Sequence, residues 1–454
     1  MTEITGPVHL VGIGGIHMSA IALLLLEKGV AVTGSDLRRS ELTAKVERAG
    51  GGVFEGHAAA NLGNPALVVT TAATNDENPE ILEARKRGIP VILRAEMVAR
   101  LMEGKRVIAV TGAHGKTTTS SLIAFILREA GRNPMYLLGG ESIDLGGHVA
   151  WGGGDVCVVE ADEYKRAFHE YRPQVAVITN VEPDHLDYYG TEAAYHEAFA
   201  HFASLVQPGG LLLVCADDPG SARLSSAARS ARNQTYGTAA GSDWTATGIE
   251  KDAHGANFTV SAGRDVLGEL HVPFPGDHFI RNALAATTVC LQEGVNFETI
   301  RVALAKVHGA HRRFETVGEA RGILIMDDYA HHPAEVRSTV ATARAAFPER
   351  RLIVVYQPHT YTRIAYLWDE WTRCWDGVDE LIVLETYAAR EQPLEGKSAK
   401  DLANAITGVP AHYAATFDDA AGQAVALAHS GDVIFTMGAG DVVEVGPKIL
   451  ERLS

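Results

Sequence analysis

The sequence predicts an α/β protein of three consecutive domains, each built on a largely parallel, doubly wound sheet. Three observations support this prediction. The 454 residues correspond to about two to four domains at roughly 100 to 200 residues each. Apolar strand-like runs alternate with helix-like segments in three separate series, and this rhythm requires parallel strands joined by helical crossovers. The content of 46% hydrophobic and 21% charged residues is that of a chain with a packed core.

The first series predicts a domain over residues 1–104. The apolar run Met18–Leu26 is too short to span a bilayer, so we interpret it as a buried helix. The charged stretch MEGKR marks the expected domain boundary. The strands of this domain are expected at VHLVGIGG, VAVTGSD, ALVVTTAA and VILR.

The second series predicts a domain over residues 105–314. The helix after its first strand is expected to begin at Thr117. Residues 236–274 contain shorter alternating runs, which predict a small antiparallel excursion inside this domain. The main strands are expected at Val107–Thr111, Val156–Glu160, Val175–Asn180 and Leu211–Val214.

The third series predicts a domain over residues 315–454, after the segment HRRF. Ligands of open α/β sheets bind at the carboxyl ends of the strands. The motifs that follow the strands are therefore where we expect chemistry, and they are DDYAHH, QPHTYTR, TYAARE and GAGD. The strands themselves are expected at GILIMDDY, RLIVVYQP, ELIVLETY and DVIFTMGAG.

The charge balance argues against several functional classes. Forty Lys and Arg residues against 56 Asp and Glu residues give a net charge of −16, which repels phosphate backbones and anionic membranes. We therefore expect neither a nucleic-acid partner nor a membrane partner. The four cysteines lie far apart without a CxxC pair, and no secretory signal opens the chain, so a reducing cytoplasm is expected.

A glycine loop after the first strand indicates a phosphate or nucleotide site. Gly12, Gly14 and Gly15 open a helix, where backbone amides and the helix dipole can receive a diphosphate. Asp36 ends the next strand, where an acidic side chain binds a ribose hydroxyl. His17 stands where the dinucleotide fingerprint has its third glycine, and its side chain is expected to obstruct the helix, which weakens the prediction of an NAD site. A glycine turn that serves packing alone is the alternative.

The most specific local signal is the second loop, GAHGKTTT, between the strand VIAVT and an apolar helix. Its glycines let the backbone wrap phosphates, Lys116 can reach the β and γ oxygens, and the Thr117 hydroxyl can ligate Mg²⁺. Only two residues separate Gly112 from the GK pair, whereas a standard Walker A loop has four between its first glycine and the GK pair. The loop therefore departs from the standard pattern. The expected phosphate-binding residues are Gly112, Ala113, His114, Gly115, Lys116, Thr117 and Thr118.

Polar residues at the ends of the next two strands suggest a metal shell. Glu160 ends the strand VCVVE, and His185 lies in NVEPDHLD after the following strand. A carboxylate and a neutral imidazole can complete the shell of a hard cation that is shared with triphosphate oxygens. We predict Thr117, Glu160 and His185 as metal-shell residues, and a surface or capping role is the alternative for His185.

Ten motifs that occur in order closely resemble those of the Mur ligases, over nearly the whole chain. They are GIGGIHMS, TGAHGKTTT, EADE, NVEPDHLD, HFIRNALAA, HRRFE, DDYAHHP, QPHTYTR, YAARE and GAGD. The resemblance implies an N-terminal Rossmann-like domain for a UDP-sugar, a central P-loop ATPase-like domain and a C-terminal Rossmann-like domain that brings an amino acid.

The resemblance also implies an activity. It is the ligation of L-alanine to the carboxylate of UDP-N-acetylmuramate through an acyl phosphate, with ATP and Mg²⁺, in peptidoglycan precursor synthesis. We expect a monomer or a weak homodimer. The alternatives are a ligase that recycles a tripeptide, an NAD-dependent dehydrogenase, which leaves GKTTT unexplained, and a non-catalytic nucleotide switch.

Individual roles follow from the same resemblance. The residues implied to bind the UDP-sugar are Gly12, Gly14, Gly15, Asp36, His57, Thr70 and Thr71. Those implied to contact ATP outside the loop are Asn282, at the adenine, and Arg313 and Asp328. Those implied to surround the alanine are Tyr329, His331, His359 and Arg363. Catalysis is expected to depend on Lys116, Glu160, His185 and His331, with His185 or His331 as the candidate general base.

Four residues depart from the pattern that the relatives usually show, and they are His17, Ala113, Lys165 and Thr360. Relatives usually carry glycine at the first of these positions. The pair His331 and His332 has an alternative role as a cap of the helix that begins at Pro333.

Overall fold

The computed structural model describes residues 6–71, 74–252, 254–389 and 391–454. The end of the predicted strand ALVVTTAA, at residues 72–73, and Arg390 of the YAARE motif lie outside the described residues. Three sheets are present, and the predicted α/β fold class is confirmed. Each predicted domain range contains one sheet, while the boundaries themselves stay predictions.

The N-terminal sheet is fully parallel and has the strand order β3-β2-β1-β4-β5. Its central strands are buried along their whole length, as helices on both faces require. The strands are β1 (Val8–Val11), β2 (Val32–Asp36), β3 (Gly52–Glu55), β4 (Leu67–Thr70) and β5 (Val91–Leu93). The helices are α1 (Ile16–Glu27), α2 (Glu41–Arg48), α3 (Pro79–Lys86) and α4 (Arg94–Leu101).

The central sheet has ten strands in the order β15-β14-β13-β12-β11-β10-β6-β9-β7-β8. Its first part comprises β6 (Arg106–Thr111), β7 (Met135–Ser142), β8 (Gly147–Ala150), β9 (Val156–Glu160) and β10 (Val175–Ile178). Its second part comprises β11 (Leu211–Cys215), β12 (Arg232–Gly237), β13 (Trp244–Asp252), β14 (Gly255–Ala262) and β15 (Asp265–Val272). The helices are α5 (Lys116–Glu129), α6 (Leu186–Tyr189), α7 (Glu192–Ser204), α8 (Pro219–Ala222), α9 (Asp277–Gln292) and α10 (Phe297–Leu304).

The predicted core strands of this sheet are present with small shifts at their ends. The helix after β6 begins at Lys116, one residue earlier than expected, and β10 ends at Ile178, two residues earlier than expected. The excursion expected in residues 236–274 comprises β13, β14 and β15, which are consecutive neighbours in the sheet.

The C-terminal sheet has six strands in the order β16-β17-β21-β18-β19-β20, and all pairs except β16 with β17 are parallel. The strands are β16 (Glu315–Ala320), β17 (Ile323–Asp328), β18 (Leu352–Tyr356), β19 (Glu380–Leu384), β20 (Ala411–Ala414) and β21 (Val433–Met437). The helices are α11 (Pro333–Ala346), α12 (Tyr361–Tyr366), α13 (Trp368–Trp371), α14 (Ala399–Ala405), α15 (Phe417–Leu427) and α16 (Val445–Leu453).

Packing divides the chain into two compact units. The first comprises Met1–Thr247, Thr259–Glu269 and Arg281–Val307, and the second comprises Gly248–Phe258, Leu270–Ile280 and His308–Ser454. In the first unit, one hydrophobic core joins the N-terminal and central sheets. Within the described residues, no helix combines the length and apolar character needed to cross a membrane.

Candidate active site

The loop between β6 and α5 is shaped by two glycines in the left-handed region. Gly112 has φ +141° and Gly115 has φ +80°. A Cβ on Gly112 would lie 2.0 Å from Thr179 Oγ1, and a Cβ on Gly115 would lie 2.8 Å from Asn282 Oδ1. Both positions therefore require glycine. Gly115 is the N-cap of α5 and offers no side-chain cap, so the first amides of this helix can receive an anion.

Thr179 and Asn180, which directly follow β10, fix the conformation of this loop through side-chain hydrogen bonds. The His114 amide donates to Asn180 Oδ1 at 2.9 Å. The Thr179 hydroxyl and the Asn180 amide group donate to the His114 carbonyl at 2.6 and 2.9 Å. These bonds explain why β10 ends before Thr179, because both residues turn toward the loop. We call this loop, residues 112–117, the phosphate cradle, and these hydrogen bonds fix its conformation.

Lys116 is fixed inside the cradle. Its Nζ donates to the carbonyls of Gly112 and Ala113 at 2.5 and 3.2 Å and lies 3.0 Å from Glu163 Oε2. Burial tends to lower the pKa of Lys116, but the Glu163 and Glu160 carboxylates outweigh burial and raise this pKa above its usual value. The lysine therefore stays cationic at neutral pH.

The predicted metal-shell residues lie around the same lysine. Thr117 Oγ1 donates to Glu160 Oε2 at 2.8 Å, and the Gly139 amide donates to the same oxygen at 2.9 Å. His185 Nε2 lies 3.9 Å from Glu163 Oε1. A hydroxyl beside a carboxylate is a donor set that suits a hard cation such as Mg²⁺. Glu163 was missed by sequence reasoning, although the acidic run EADE at the end of β9 was an available signal.

Asn282 lies against the cradle from α9. Its Oδ1 faces Gly115, as the close approach above shows, and the side chain is 5% exposed. Its Nδ2 is buried and has no hydrogen-bond partner among the described residues. A buried donor without a partner is costly, so this amide suits an acceptor of a bound nucleotide.

In the N-terminal domain, the structure joins Asp36 to the first glycine loop. The Gly14 amide donates to Asp36 Oδ2 at 2.8 Å, and a Cβ on Gly14 would lie 2.9 Å from that oxygen. Gly12 has φ +83°, and Gly15 is the N-cap of α1, again without a side-chain cap. The Gly14 amide belongs to the loop expected at the diphosphate, and Asp36 was expected at the ribose. The structure joins these two groups by a hydrogen bond.

His57 is oriented by a buried polar chain. Its Nδ1 lies 2.8 Å from Ser35 Oγ, which donates to Glu80 Oε2 at 2.5 Å. Glu80 is fully buried. Burial opposes its ionisation, but hydrogen bonds from His9, Ser35 and Asn61 lower the pKa of Glu80 to about 2. The sequence analysis did not identify Glu80, because no local pattern indicates that a residue of α3 contacts side chains of both β1 and β2.

Of the two threonines expected near the UDP-sugar, Thr70 ends β4 and Thr71 directly follows it. The Thr70 hydroxyl is buried and lacks a partner among the described residues, whereas Thr71 Oγ1 lies 3.2 Å from Thr74 Oγ1. The Thr71 Cγ2 atom lies 3.8 Å from the position that a Cβ on Gly12 would take, so Thr71 borders the glycine loop.

The second unit gathers the residues expected around the amino acid. The rings of Tyr329 and His331 lie 5.3 Å apart, and those of His331 and His359 lie 6.0 Å apart. Arg363 Nη1 donates to His359 Nδ1 at 3.1 Å. Arg313 lies over the Tyr329 ring at 5.0 Å. Two imidazoles, a phenol and two guanidinium groups therefore share one edge of the C-terminal sheet.

Asp328 lies beneath this cluster. Its carboxylate accepts hydrogen bonds from the Phe314 amide at 2.8 Å, the Ala330 amide at 2.9 Å and the Thr339 hydroxyl at 3.1 Å. Burial nevertheless raises the pKa of Asp328 to about 6. The neighbouring Arg312, unlike Arg313, pairs with the buried Asp327 at 3.0 Å.

The helix-capping alternative holds for one histidine of the pair. His332 is the N-cap of α11 and accepts from the Ala334 amide at 3.3 Å. His331 instead hydrogen-bonds through Nδ1 to the Tyr329 carbonyl at 2.9 Å. Thr360, another departure from the expected pattern, has φ +64° at the start of α12.

Three family models match the chain in order. The model described as Mur ligase family, catalytic domain, matches residues 7–106. The Mur ligase middle domain model matches residues 110–290. The model described as Mur ligase, glutamate ligase domain, matches residues 312–440. Together these models cover each of the three sheets.

Whole-chain comparisons agree with the family models. The UDP-N-acetylmuramate–L-alanine ligase of Trichlorobacter lovleyi is 41% identical, with 98% of both chains covered. The enzyme of the same name from Mycolicibacterium smegmatis is 42% identical, with 98% of this chain and 95% of that chain covered.

Two solved structures are similar over nearly the full length. A UDP-N-acetylmuramate-alanine ligase from Thermotoga maritima has a TM-score of 0.82 at 29% identity, with 98% of both chains covered. A murein peptide ligase from Psychrobacter arcticus has a TM-score of 0.74 at 26% identity, with 99% of this chain and 98% of that chain covered.

The close approach of Gly115 to Asn282 predicts a selective loss of nucleotide binding in Gly115→Ala. Ala in the left-handed region costs about 1 kcal/mol, and its Cβ would also displace Asn282. Gly131, with φ +74°, has no atom within 4 Å of its Cβ position, so Gly131→Ala carries similar strain without the collision. Calorimetric titration with ATP should show at least about tenfold weaker binding for the first variant and wild-type binding for the second. Equal affinities for both variants would contradict this prediction.

The raised pKa of Asp328 predicts a specific pH dependence of stability. The folded-state pKa of about 6 lies above the ordinary value of 3.8, so the folded state binds this proton more tightly and loses stability as pH rises from about 4 to about 6. Asp328→Asn removes the titration. Between pH 5 and pH 7, the unfolding free energy of the wild type should fall by about 1 kcal/mol relative to the variant, as measured by urea denaturation.

Asp379→Asn is the matched control for this measurement. Partial burial opposes ionisation of Asp379, but hydrogen bonds from the Leu352 amide and Arg344 lower its pKa below the ordinary value. Asp379 is therefore ionised in both states above pH 5, and its difference from the wild type should stay flat. A flat difference for Asp328→Asn as well would show that Asp328 titrates normally.

Proposed function

Because the chain belongs to the Mur ligase family, we propose that it ligates L-alanine to the carboxylate of UDP-N-acetylmuramate at the expense of ATP. This reaction is a step of peptidoglycan precursor synthesis. The observation that carries the proposal is the phosphate cradle with the half-buried, cationic Lys116. The proposed substrates are supported by the names of relatives that are 41% and 42% identical over nearly the whole chain.

The chemistry requires an activated carboxylate. The carboxylate oxygen attacks the γ-phosphorus of ATP, ADP leaves, and an acyl phosphate forms. The alanine amine then attacks the acyl carbon, the amide bond forms, and inorganic phosphate leaves with the electrons of the broken carbon–oxygen bond. In the first step two anions must approach, which costs about 4 kcal/mol at ~4 Å and an effective dielectric constant near 20. The Lys116 ammonium is placed to offset that repulsion.

Mg²⁺ fits the oxygen-rich side of the cradle. Thr117 and Glu160 would hold it, with His185 as a further candidate, because the hydroxyl and the carboxylate already lie 2.8 Å apart. When bound, this ion neutralises charge on the triphosphate oxygens. The loop amides and Lys116 are proposed to position the triphosphate, and the Asn282 amide, which has no hydrogen-bond partner among the described residues, is proposed to bind the adenine.

The amino acid is proposed to bind at the cluster in the second unit. Arg363 offers a guanidinium for the alanine carboxylate, and His331 or His185 is the proposed base that keeps the amine neutral for attack. The Tyr329 and His359 rings flank His331. These roles remain proposals, as do Arg313 and Asp328 at the ATP.

A cytoplasmic location and a monomeric or weakly dimeric state complete the proposal. All four cysteines are free and buried, which agrees with a reducing compartment. Sedimentation at several concentrations measures the oligomeric state directly.

The decisive experiment is an end-product assay. The purified protein is incubated with UDP-N-acetylmuramate, ATP, Mg²⁺ and one amino acid at a time, and the products are weighed by mass spectrometry. We expect a product heavier by one alanyl residue, with ADP and phosphate formed in equal amounts. A product that forms only with the tripeptide would identify the recycling ligase instead, and no product with any amino acid would refute the ligase assignment.

Lys116→Ala should abolish turnover. Leaving the repulsion of about 4 kcal/mol uncompensated slows the first step roughly a thousandfold, so phosphate release in the presence of both substrates should fall by that factor. Lys86→Ala is the control, because this lysine is 78% exposed and pairs only with Glu83 on α3. Retention of more than about a tenth of the wild-type rate in Lys116→Ala would contradict the assigned role.

A further inference from the structure

His17 lies in the first turn of α1, directly after the glycine loop. Its Nδ1 is 2.6 Å from Arg94 Nη1. Arginine is only a donor, so Nδ1 accepts this hydrogen bond and the ring proton resides on Nε2. Burial, followed by the Arg94 charge, lowers the pKa of His17 to about 3, which keeps the ring neutral. The side chain that was expected to obstruct the helix thus makes a defined contact with α4.

Arg94 also makes a hydrogen bond to a residue that follows a strand of the central sheet. Its Nη2 donates to Asp162 Oδ2 at 2.7 Å, and the two side chains are 19% and 25% exposed. One guanidinium therefore bonds to His17 of the N-terminal sheet and to the Asp162 carboxylate after β9.

Asp162 belongs to the acidic segment, residues 160–163, which lines the phosphate cradle. Glu160, two residues before it, accepts from Thr117, and Glu163, the next residue, pairs with Lys116. The other oxygen of Asp162 accepts from the Tyr164 amide at 2.9 Å. Asp162 thus links Arg94 to the segment whose two glutamates contact the cradle residues, so this contact sets where the cradle as a whole lies relative to the glycine loop.

We propose that His17 is a positioning residue. By accepting a hydrogen bond from Arg94 it directs the guanidinium at Asp162, and so keeps the acidic segment in register with the glycine loop. The inference rests on the proposed function, in which the sugar nucleotide occupies that loop and ATP occupies the cradle. The two substrates must meet within about 3 to 3.5 Å, and a misplacement of about 1 Å can cost a hundredfold in rate.

Three variants test the proposal in the full-length enzyme. His17→Ala removes the acceptor, and Arg94→Lys keeps the charge but lacks the planar fork whose two nitrogens donate separately to His17 and Asp162. His17→Asn keeps an acceptor at the position of Nδ1. We expect the first two to lower kcat about 10- to 100-fold, whereas the dissociation constant for ATP alone, measured by calorimetry, changes by less than about threefold. His17→Asn should restore kcat to within about threefold of the wild type.

If His17 had only a structural role, His17→Ala would lower the melting temperature without combining a reduced kcat with an unchanged dissociation constant for ATP. The exposed His254 supplies the control His254→Ala, which should leave kcat unchanged. In an Asp162→Ala background, which has no side-chain acceptor for Arg94, His17→Ala should cause no further loss, because the hydrogen bond that it positions is already absent. Wild-type kcat in His17→Ala, or an equally slow His17→Asn, would overturn the inference. A wild-type protein that forms no alanyl product would instead overturn the proposed function.

Discussion

The ion pair between Lys116 and Glu163 is the interaction on which the site depends. A buried ammonium without a carboxylate would lose its proton or leave the interior, and then the cradle would offer only backbone amides to a polyanion. Glu163 keeps the lysine charged, and the carbonyls of Gly112 and Ala113 keep it in place. The loop, the acidic segment and the start of α5 are therefore one electrostatic unit.

The sequence predicted the cradle but not what holds it. Gly112, Gly115 and Lys116 lie within five residues between a strand and a helix, so the local sequence predicts a phosphate loop although its spacing departs from the Walker A pattern. Asn180 and Glu163 come from other strand ends, and Arg94 comes from another domain. Such partners depend on which strands become neighbours, and the order β10-β6-β9 is a property of the whole sheet that no local pattern states.

Of the six strands that lie at sheet edges in the described residues, four were not predicted from the sequence. These four strands are β3, β8, β16 and β20. An edge strand pairs on one side and is half exposed, so it needs few apolar residues, and Val53 is the one buried residue in β3. Interior strands such as β6 and β9 are apolar along nearly their whole length, and for this reason their positions could be predicted closely.

The charges at the site explain how a chain of net charge −16 can receive a triphosphate. Lys116 and Arg94 face Glu160, Asp162 and Glu163, so carboxylates outnumber cations before any ligand binds. This excess keeps both cations charged and fixed, but it also repels phosphate at close range. A triphosphate alone would therefore bind weakly, and a divalent cation that arrives with it would reverse the local balance. Under the proposed function, the same carboxylates that fix the lysine would favour a metal-bound nucleotide over free phosphate.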